Sequence, residues 1–340
     1  MKAVVYRAGR GLACEDIAAP RPQADQVLVR VINCGFCGSD HSLVQSGMLA
    51  DGYVLGHEIS GVVAEVGADV SGELLGQRVT IRPTYCGQCP ECLAGKQMFC
   101  QQNRRSTGIG DLPGGFAEQL VCYPQMLIPI PAGVDSQNAA LAEVFATGLH
   151  GVKVAGRAGG SALVLGGGPI GLGLIKLLKL QGFGPVGLGE PQAAKRELAL
   201  SWGADFVLDP LSQPLGEAVL AHTDGRGFDV VYECAGAPDN VQAAMDACAR
   251  FGVVCVLSVM ARMAQILPLT LNFKEIILTG AYGNDHAENR QILNWMAQGR
   301  LDGRGMISDL IGLEQLPALY QERIHPGQAI KAMLRVGPEF

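Results

Sequence analysis

Charge is scarce in this chain: 17% of its 340 residues are charged, and aromatic residues contribute 6%. There is no basic excess. The net charge is −6 and the pI is near 5.6, which gives no reason to expect nucleic acid or an anionic membrane as partner. A clean membrane-spanning run is also missing. The longest apolar stretch, Ala162–Leu180, is interrupted by glycines, Pro169, Lys176 and Lys179 and reads as a strand followed by a helix. The opening MKAVVYRAG lacks the apolar core of a secretion signal and reads as a strand, so the expected compartment is the cytoplasm. Internal repeats and low-complexity tracts are absent. With 48% hydrophobic residues, disorder is excluded as well. The length exceeds one ordinary core, so two domains are expected.

Cysteine, by contrast, is plentiful, with eleven residues. Without a secretion signal a disulfide framework is not expected, and clustered cysteines point to metal instead. Cys86, Cys89, Cys92 and Cys100 form such a cluster, with glycine and proline between them. Four thiolates at that spacing suit a closed tetrahedral zinc site, which has no open position and therefore staples a loop. Three further features of the first half carry metal-ligating types: Cys37-Gly38-Ser39-Asp40, Gly56-His57-Glu58 entering a strand, and Glu143 in NAALAEVFATGLHG. Cys, His and Glu are competent zinc ligands, and a catalytic zinc keeps three protein ligands and an open position. Spacing alone leaves other readings open: Cys37 as inert packing, His57 as a hydrogen-bonded core histidine, Glu143 as a solvated carboxylate. This first region alternates short β-rich runs with Gly and Pro, as a small barrel-like domain does.

From Phe145 to Gly283 the pattern changes to alternating strands and helices. Its first strand candidate, Ser161–Leu165, runs into GGGPIG. Gly166, Gly168 and Gly171 fit G-x-G-x-x-G between a strand and a helix, with Pro169 and Ile170 opening the helix. Such a turn lets a pyrophosphate approach the backbone at a helix N-terminus. Glu190 follows at the end of the second strand, where a carboxylate accepts the ribose hydroxyls of NAD and repels a 2′-phosphate. Lys195 and Arg196 lie just beyond. Lys195 could line the adenine site or be an ordinary helix charge, and a basic residue facing the ribose would admit NADP. The strand candidates Ser161–Leu165, Val186–Gly189, Phe206–Leu208, Asp229–Glu233, Val253–Leu257 and Ile276–Ala281 suit a doubly wound parallel sheet in the order 3-2-1-4-5-6. Helices are expected over Ile170–Gln181, Ala193–Trp202, Leu215–His222, Asn240–Arg250, Glu288–Gln298 and Leu313–Gln321, with a closing strand at Ala329–Val336.

Several of these segments occur together and in order: CGFCGSD at Cys34–Asp40, GHEISGVVAEVG at Gly56–Gly67, the four-cysteine lobe, GGFAEQLV at Gly114–Val121, LAEVFATGLHG at Leu141–Gly151 and VLGGGPIGL at Val164–Leu172. As an ordered set they closely resemble the zinc-dependent medium-chain dehydrogenases, in the branch of sorbitol, butanediol and threonine dehydrogenases. The resemblance implies an α/β protein: a GroES-like β-rich catalytic domain over 1–144 and 284–340, and a Rossmann NAD-binding domain over 145–283, with the active site in the cleft between them. It implies one catalytic zinc on Cys37 and His57, with Glu58 and Glu143 as carboxylates that ligate alternately, Glu143 the nearer. It implies one structural zinc on Cys86, Cys89, Cys92 and Cys100. Ser39 would take the alcohol proton, and NAD, in preference to NADP, would accept the hydride. Gly236, Ser258 and Tyr282 would border the nicotinamide half, and Lys331 matches a late basic residue near the cofactor. The implied partner is a small alcohol or ketone, and the implied assembly a homodimer or homotetramer. A zinc-free quinone or enone reductase on the same fold is the alternative, as is a regulator that binds NAD and zinc without turnover.

The chain departs from that pattern at a few positions. Ser42 stands where a proton-relaying histidine is usual, with His41 one residue earlier. Leu43 replaces a tyrosine, and Gly283 aligns with an arginine that holds polyol hydroxyls. An apolar pocket discriminates weakly between hydroxylated substrates, so these changes point away from a long polyol and towards a simpler secondary alcohol or diol.

Overall fold

The strand Val27–Gly35 is apolar at most positions, and all but one of its side chains are buried. A strand that apolar needs cover on both faces. It pairs antiparallel with Glu58–Val66 along one edge, and with Gln119–Cys122 and Lys331–Arg335 along the other. These strands belong to a seven-stranded sheet that runs Ile307–Ile311, Lys331–Arg335, Val27–Gly35, Glu58–Val66, Arg78–Ile81, Leu127–Pro129, with Gln119–Cys122 off that path. Val29, Val31, Ile59, Val79, Phe116 and Leu334 are among the side chains of its core. The computed structural model describes residues 1–340. The chain divides into two units, Met1–Glu143 with Asp285–Phe340, and Val144–Asn284, and the helix Ser136–Ala155 carries it across the division.

The second unit is built on six parallel strands in the order Phe206–Leu208, Val186–Gly189, Ala162–Leu165, Phe228–Glu233, Cys248–Val256, Ile277–Gly280. That is the doubly wound order expected from the alternating pattern. The fold is therefore a GroES-like β domain with a Rossmann sheet. The helix Pro169–Leu180 buries Leu172, Leu174, Ile175, Leu177 and Leu178, with Leu174 and Leu177 beside Gly148 of the helix Ser136–Ala155.

Several boundaries differ from the sequence expectation. The helix expected over Asn240–Arg250 stops at Ala247, and Cys248 already begins a strand. Alanine-rich sequence favours helix locally, but here the sheet claims Cys248–Arg250. The segment expected as one helix over Leu313–Gln321 is a 3₁₀ turn, a short α-helix and a π-helical turn at Tyr320–Ile324. A helix not foreseen, Gly38–Ser46, follows Cys37 and ends at Gly47 with φ 66°. Its mixed sequence carries little helical periodicity; its start is fixed by Asp40, whose Oδ2 accepts the Cys37 N–H at 2.9 Å.

Candidate functional site

The same Asp40 organises the centre of the first unit. Its Oδ1 lies 3.4 Å from His57 Nδ1, and both side chains are buried. The carboxylate stands behind one ring nitrogen and the other turns towards Ser39, the arrangement of second-sphere carboxylates behind metal-bound histidines. Nε2 of His57 is 3.4 Å from the Ser39 hydroxyl. Ligand atoms of Cys37, His57 and Glu58 lie within 4.8 Å of one another. Burial works against a charge on His57, but Asp40 and the Cys37 sulfur outweigh it and raise its pKa. The same negative groups would attract a metal cation to the deprotonated nitrogen. One sulfur, one imidazole nitrogen and one carboxylate suit zinc with a position left open.

The two glutamates part company. Glu58 sits with Cys37 and His57, whereas Glu143, on the helix Ser136–Ala155, pairs with Arg82 Nη1 at 3.1 Å. Glu58 also meets Lys331, whose Nζ donates to it and to the Phe36 carbonyl at 3.0 Å. Lys331 is 2% exposed and lies within the first unit. Burial opposes its charge, and Glu58 outweighs that and raises its pKa. Gly35 makes the pair possible, since a Cβ there would stand 1.9 Å from Glu58 Oε2.

The relay positions are engaged elsewhere. Ser42 Oγ donates back to the Gly38 carbonyl at 3.1 Å. His41 faces Tyr320, whose hydroxyl is 3.1 Å from Nδ1 and accepts from Gln45 at 2.8 Å. Burial and the neighbouring His325 lower the His41 pKa. Leu43 packs against the β-rich core.

The four-cysteine lobe is closed. Its ligand sulfurs lie within 4.8 Å of one another, and Sγ of Cys86 and Cys92 are 3.8 Å apart. A tetrahedron with zinc–sulfur arms has edges of about 3.8 Å. Backbone N–H groups of Gln88 and Cys89 point at the Cys86 sulfur, at 3.4 and 3.2 Å. Backbone donors, Asn103 foremost, pull the Cys100 thiol down to about 6, so a thiolate stands ready at neutral pH.

In the second unit, Gly166 takes φ +102°, and a Cβ on Gly171 would stand 1.9 Å from the Gly166 carbonyl, so these two positions admit no larger residue. Gly168 caps the helix, and Pro169 and Ile170 open it. Its first amide groups have no carbonyl partner inside the helix. Glu190 is buried; its Oε2 accepts Gly167 N–H at 2.7 Å and its Oε1 accepts Gln192 N–H at 2.9 Å. A Cβ on Gly167 would lie 3.2 Å from Lys195 Cβ, so Lys195 borders the turn. Arg196 instead donates to the carbonyls of Glu190 and Pro191, at 2.7 and 2.6 Å. Gly236 and Ser258 sit past the ends of adjacent parallel strands and both donate to Glu233. Tyr282 and Gly283 follow the last strand, Tyr282 exposed and Gly283 at φ 66°. Asp40, Arg82 and Glu233 carry no assigned role in the sequence reading. Asp40 was visible inside CGSD, three residues from Cys37, whereas nothing local marks Glu233.

Comparison with known proteins agrees with both halves. The alcohol dehydrogenase GroES-like domain family matches residues 23–132, and the zinc-binding dehydrogenase family matches residues 169–298. The 2-dehydro-3-deoxy-L-galactonate 5-dehydrogenase of Pseudoalteromonas atlantica is 32% identical, over 94% of each chain. A sorbitol dehydrogenase of Halalkalibacterium halodurans is 30% identical, over 98% of this chain and 99% of its own. A solved structure from Sinorhizobium meliloti 1021, described as a zinc-binding dehydrogenase and bound to NADP, superposes with a TM-score of 0.89 at 32% identity and covers 98% of each chain. With this likeness running nearly end to end through both units, the chain belongs to the zinc-dependent medium-chain dehydrogenase family.

Proposed function

We propose that this protein transfers a hydride between a secondary alcohol, diol or polyol and NAD, giving the ketone. The observation that carries the reading is the meeting of half-buried Cys37 with buried His57 and Glu58, with Asp40 behind His57, in a chain that also holds the Gly166–Gly171 turn and Glu190. Metal chemistry belongs to the unit Met1–Glu143 with Asp285–Phe340, and nucleotide binding to Val144–Asn284.

Cys37, His57 and Glu58 would hold the catalytic zinc, with Glu143 as the exchanging carboxylate; this inverts the order of the two glutamates expected from sequence. When bound, zinc supplies a Lewis acid for the alcohol or ketone oxygen, and NAD the hydride acceptor. The remaining work falls to the chain. Ser39, beside His57, takes the proton. Asp40 holds the imidazole in one orientation. Lys331 donates to Glu58 and opposes the upward push that burial gives its pKa. Glu190, at the end of the second strand, would select the ribose hydroxyls and disfavour a 2′-phosphate, which supports NAD over NADP. Cys86, Cys89, Cys92 and Cys100 would hold the structural zinc.

The relatives named above act on sorbitol and on a dehydro-deoxy-galactonate, so hydroxylated carbon chains are the substrate class to test. Leu43 and Gly283 in place of polar residues favour short secondary alcohols and diols within it. A homodimer or homotetramer is the proposed assembly. No helix is long and apolar enough to cross a membrane, and the cytoplasm is the proposed compartment.

The test is a panel of alcohols, diols and polyols offered with NAD and NADP in parallel, run on the wild type and on Cys37→Ser. The wild type should form NADH with at least one secondary alcohol and carry two zinc ions per chain. Cys37→Ser should keep one zinc and its NADH affinity and lose turnover by about a thousandfold, the scale of losing Lewis-acid assistance. Turnover surviving with one zinc would favour the zinc-free reductase instead.

A further inference from the structure

Glu233 ends the strand Phe228–Glu233 and is completely buried, yet nothing in the chemistry above uses it. Its Oε1 accepts the backbone N–H groups of Ala235, at 3.0 Å, and Gly236, at 2.9 Å. Its Oε2 accepts the hydroxyl of Ser258, which lies just past the neighbouring strand Cys248–Val256. Gly236 takes φ 73°. Successive amides converging on one anion form a nest of the kind that binds phosphates and other anions. In this molecule the occupant is a carboxylate of the chain itself, and it ties together the loops after two adjacent parallel strands.

That tie sits at a particular place in the sheet. Strand order reverses between Ala162–Leu165 and Phe228–Glu233. Open parallel sheets bind ligands at that crevice, and a dinucleotide extends across it, one half on each side. Glu190 follows Val186–Gly189 on one side, which assigns the adenosine half there. The other half then lies over the loops that Glu233 holds. The two sides touch at the turn itself, since a Cβ on Gly166 would meet Ala235 N at 2.7 Å.

We infer that Glu233 is a positioning residue for the nicotinamide half of the dinucleotide, acting through the backbone of Ala235–Gly236 and through Ser258. The inference rests on the proposed reading that NAD binds at the Gly166–Gly171 turn. It also revises two positions. The Ser258 hydroxyl and the Gly236 N–H face the chain's own carboxylate, so both residues act on the nucleotide by holding loop shape.

The test compares binding of NADH with binding of AMP, which needs only the adenosine side, in the wild type, Ser258→Ala, Glu233→Ala and Glu233→Gln. Ser258→Ala removes the tie between the loops while leaving the buried carboxylate with its two amide donors. It should weaken NADH about tenfold, the scale of one charge-assisted hydrogen bond, and raise KM for NAD by a like factor. AMP affinity and zinc content should stay within about twofold, the scatter expected for untouched contacts. Glu233→Ala should show the same selectivity with a larger loss. Glu233→Gln keeps an acceptor for the amides and a donor for the Ser258 oxygen, so it should recover most of that loss. NADH and AMP weakening in parallel would reduce Glu233 to a fold-stabilising group and overturn the inference, as would unchanged NADH binding in Ser258→Ala. A wild type that binds neither ligand would instead sink the nucleotide reading, and this inference with it.

Discussion

Asp40 shows how one residue serves two levels of structure. Its Oδ2 fixes the start of the helix Gly38–Ser46, and its Oδ1 stands behind His57. Replacing it by Asn keeps the size and an acceptor but removes the charge. Second-sphere changes of this kind weaken metal binding about 10–100-fold. Asp40→Asn should therefore lose the catalytic zinc to a competing chelator at correspondingly lower chelator concentration, with the four-cysteine zinc unaffected; equal retention of both metals would remove Asp40 from the site. The ligand types were legible in the sequence because Cys, His and Glu carry their chemistry in their side chains. Their choice of partner was not. Whether Glu58 or Glu143 joins Cys37 and His57 depends on where Arg82 and Lys331 stand, and both reach the site through the fold: Arg82 from just past the strand Arg78–Ile81, Lys331 from the strand Lys331–Arg335.

Among the elements, the cysteine lobe and the glycine-rich turn were the most readable, because each is defined by spacing within about fifteen residues or fewer, where local motifs carry their own mechanism. The lobe also exposes a weakness. Its helical pieces are short, Pro90–Leu93 and Gln97–Phe99, and its core consists of Cys89, Cys92 and Cys100 with Tyr85 and Cys86 against them. Thiols that small bury little apolar area, so on the proposed reading a bound metal would close the lobe. Stripping it with a thiol-competent chelator should open the backbone between Cys86 and Cys100 to protease first, with AMP binding by the other unit unchanged; a lobe that resists cleavage without metal would show that packing alone holds it. The helix Gly38–Ser46 and the π-helical turn Tyr320–Ile324 were illegible for a shared reason. Capping and tertiary packing determine both, and neither leaves a strong 3.6-residue pattern.

For the whole molecule, alternation of strand and helix was enough to give the order of the six parallel strands, since right-handed crossovers leave few topologies. That sheet ends on Ile277–Gly280, which pairs on one side only and has Ile277 58% exposed. Phe273, Leu269, Leu267 and Met263, shortly before it, are exposed as well. A free strand edge beside an apolar surface invites another strand, and a second copy can supply the same edge about a two-fold axis. The wild type should sediment as a dimer or larger, and Ile277→Lys should shift it towards monomer; a monomeric wild type would exclude this surface as the contact.

The unit that holds the metal residues is interrupted by the whole of the other unit, and its sheet is completed by Ile307–Ile311 and Lys331–Arg335. On the ribosome, therefore, Val144–Asn284 emerges with all its sheet partners while Glu58 still waits for Lys331. Vectorial synthesis makes the nucleotide half the first able to fold and the metal centre the last to gain its buried counter-charge.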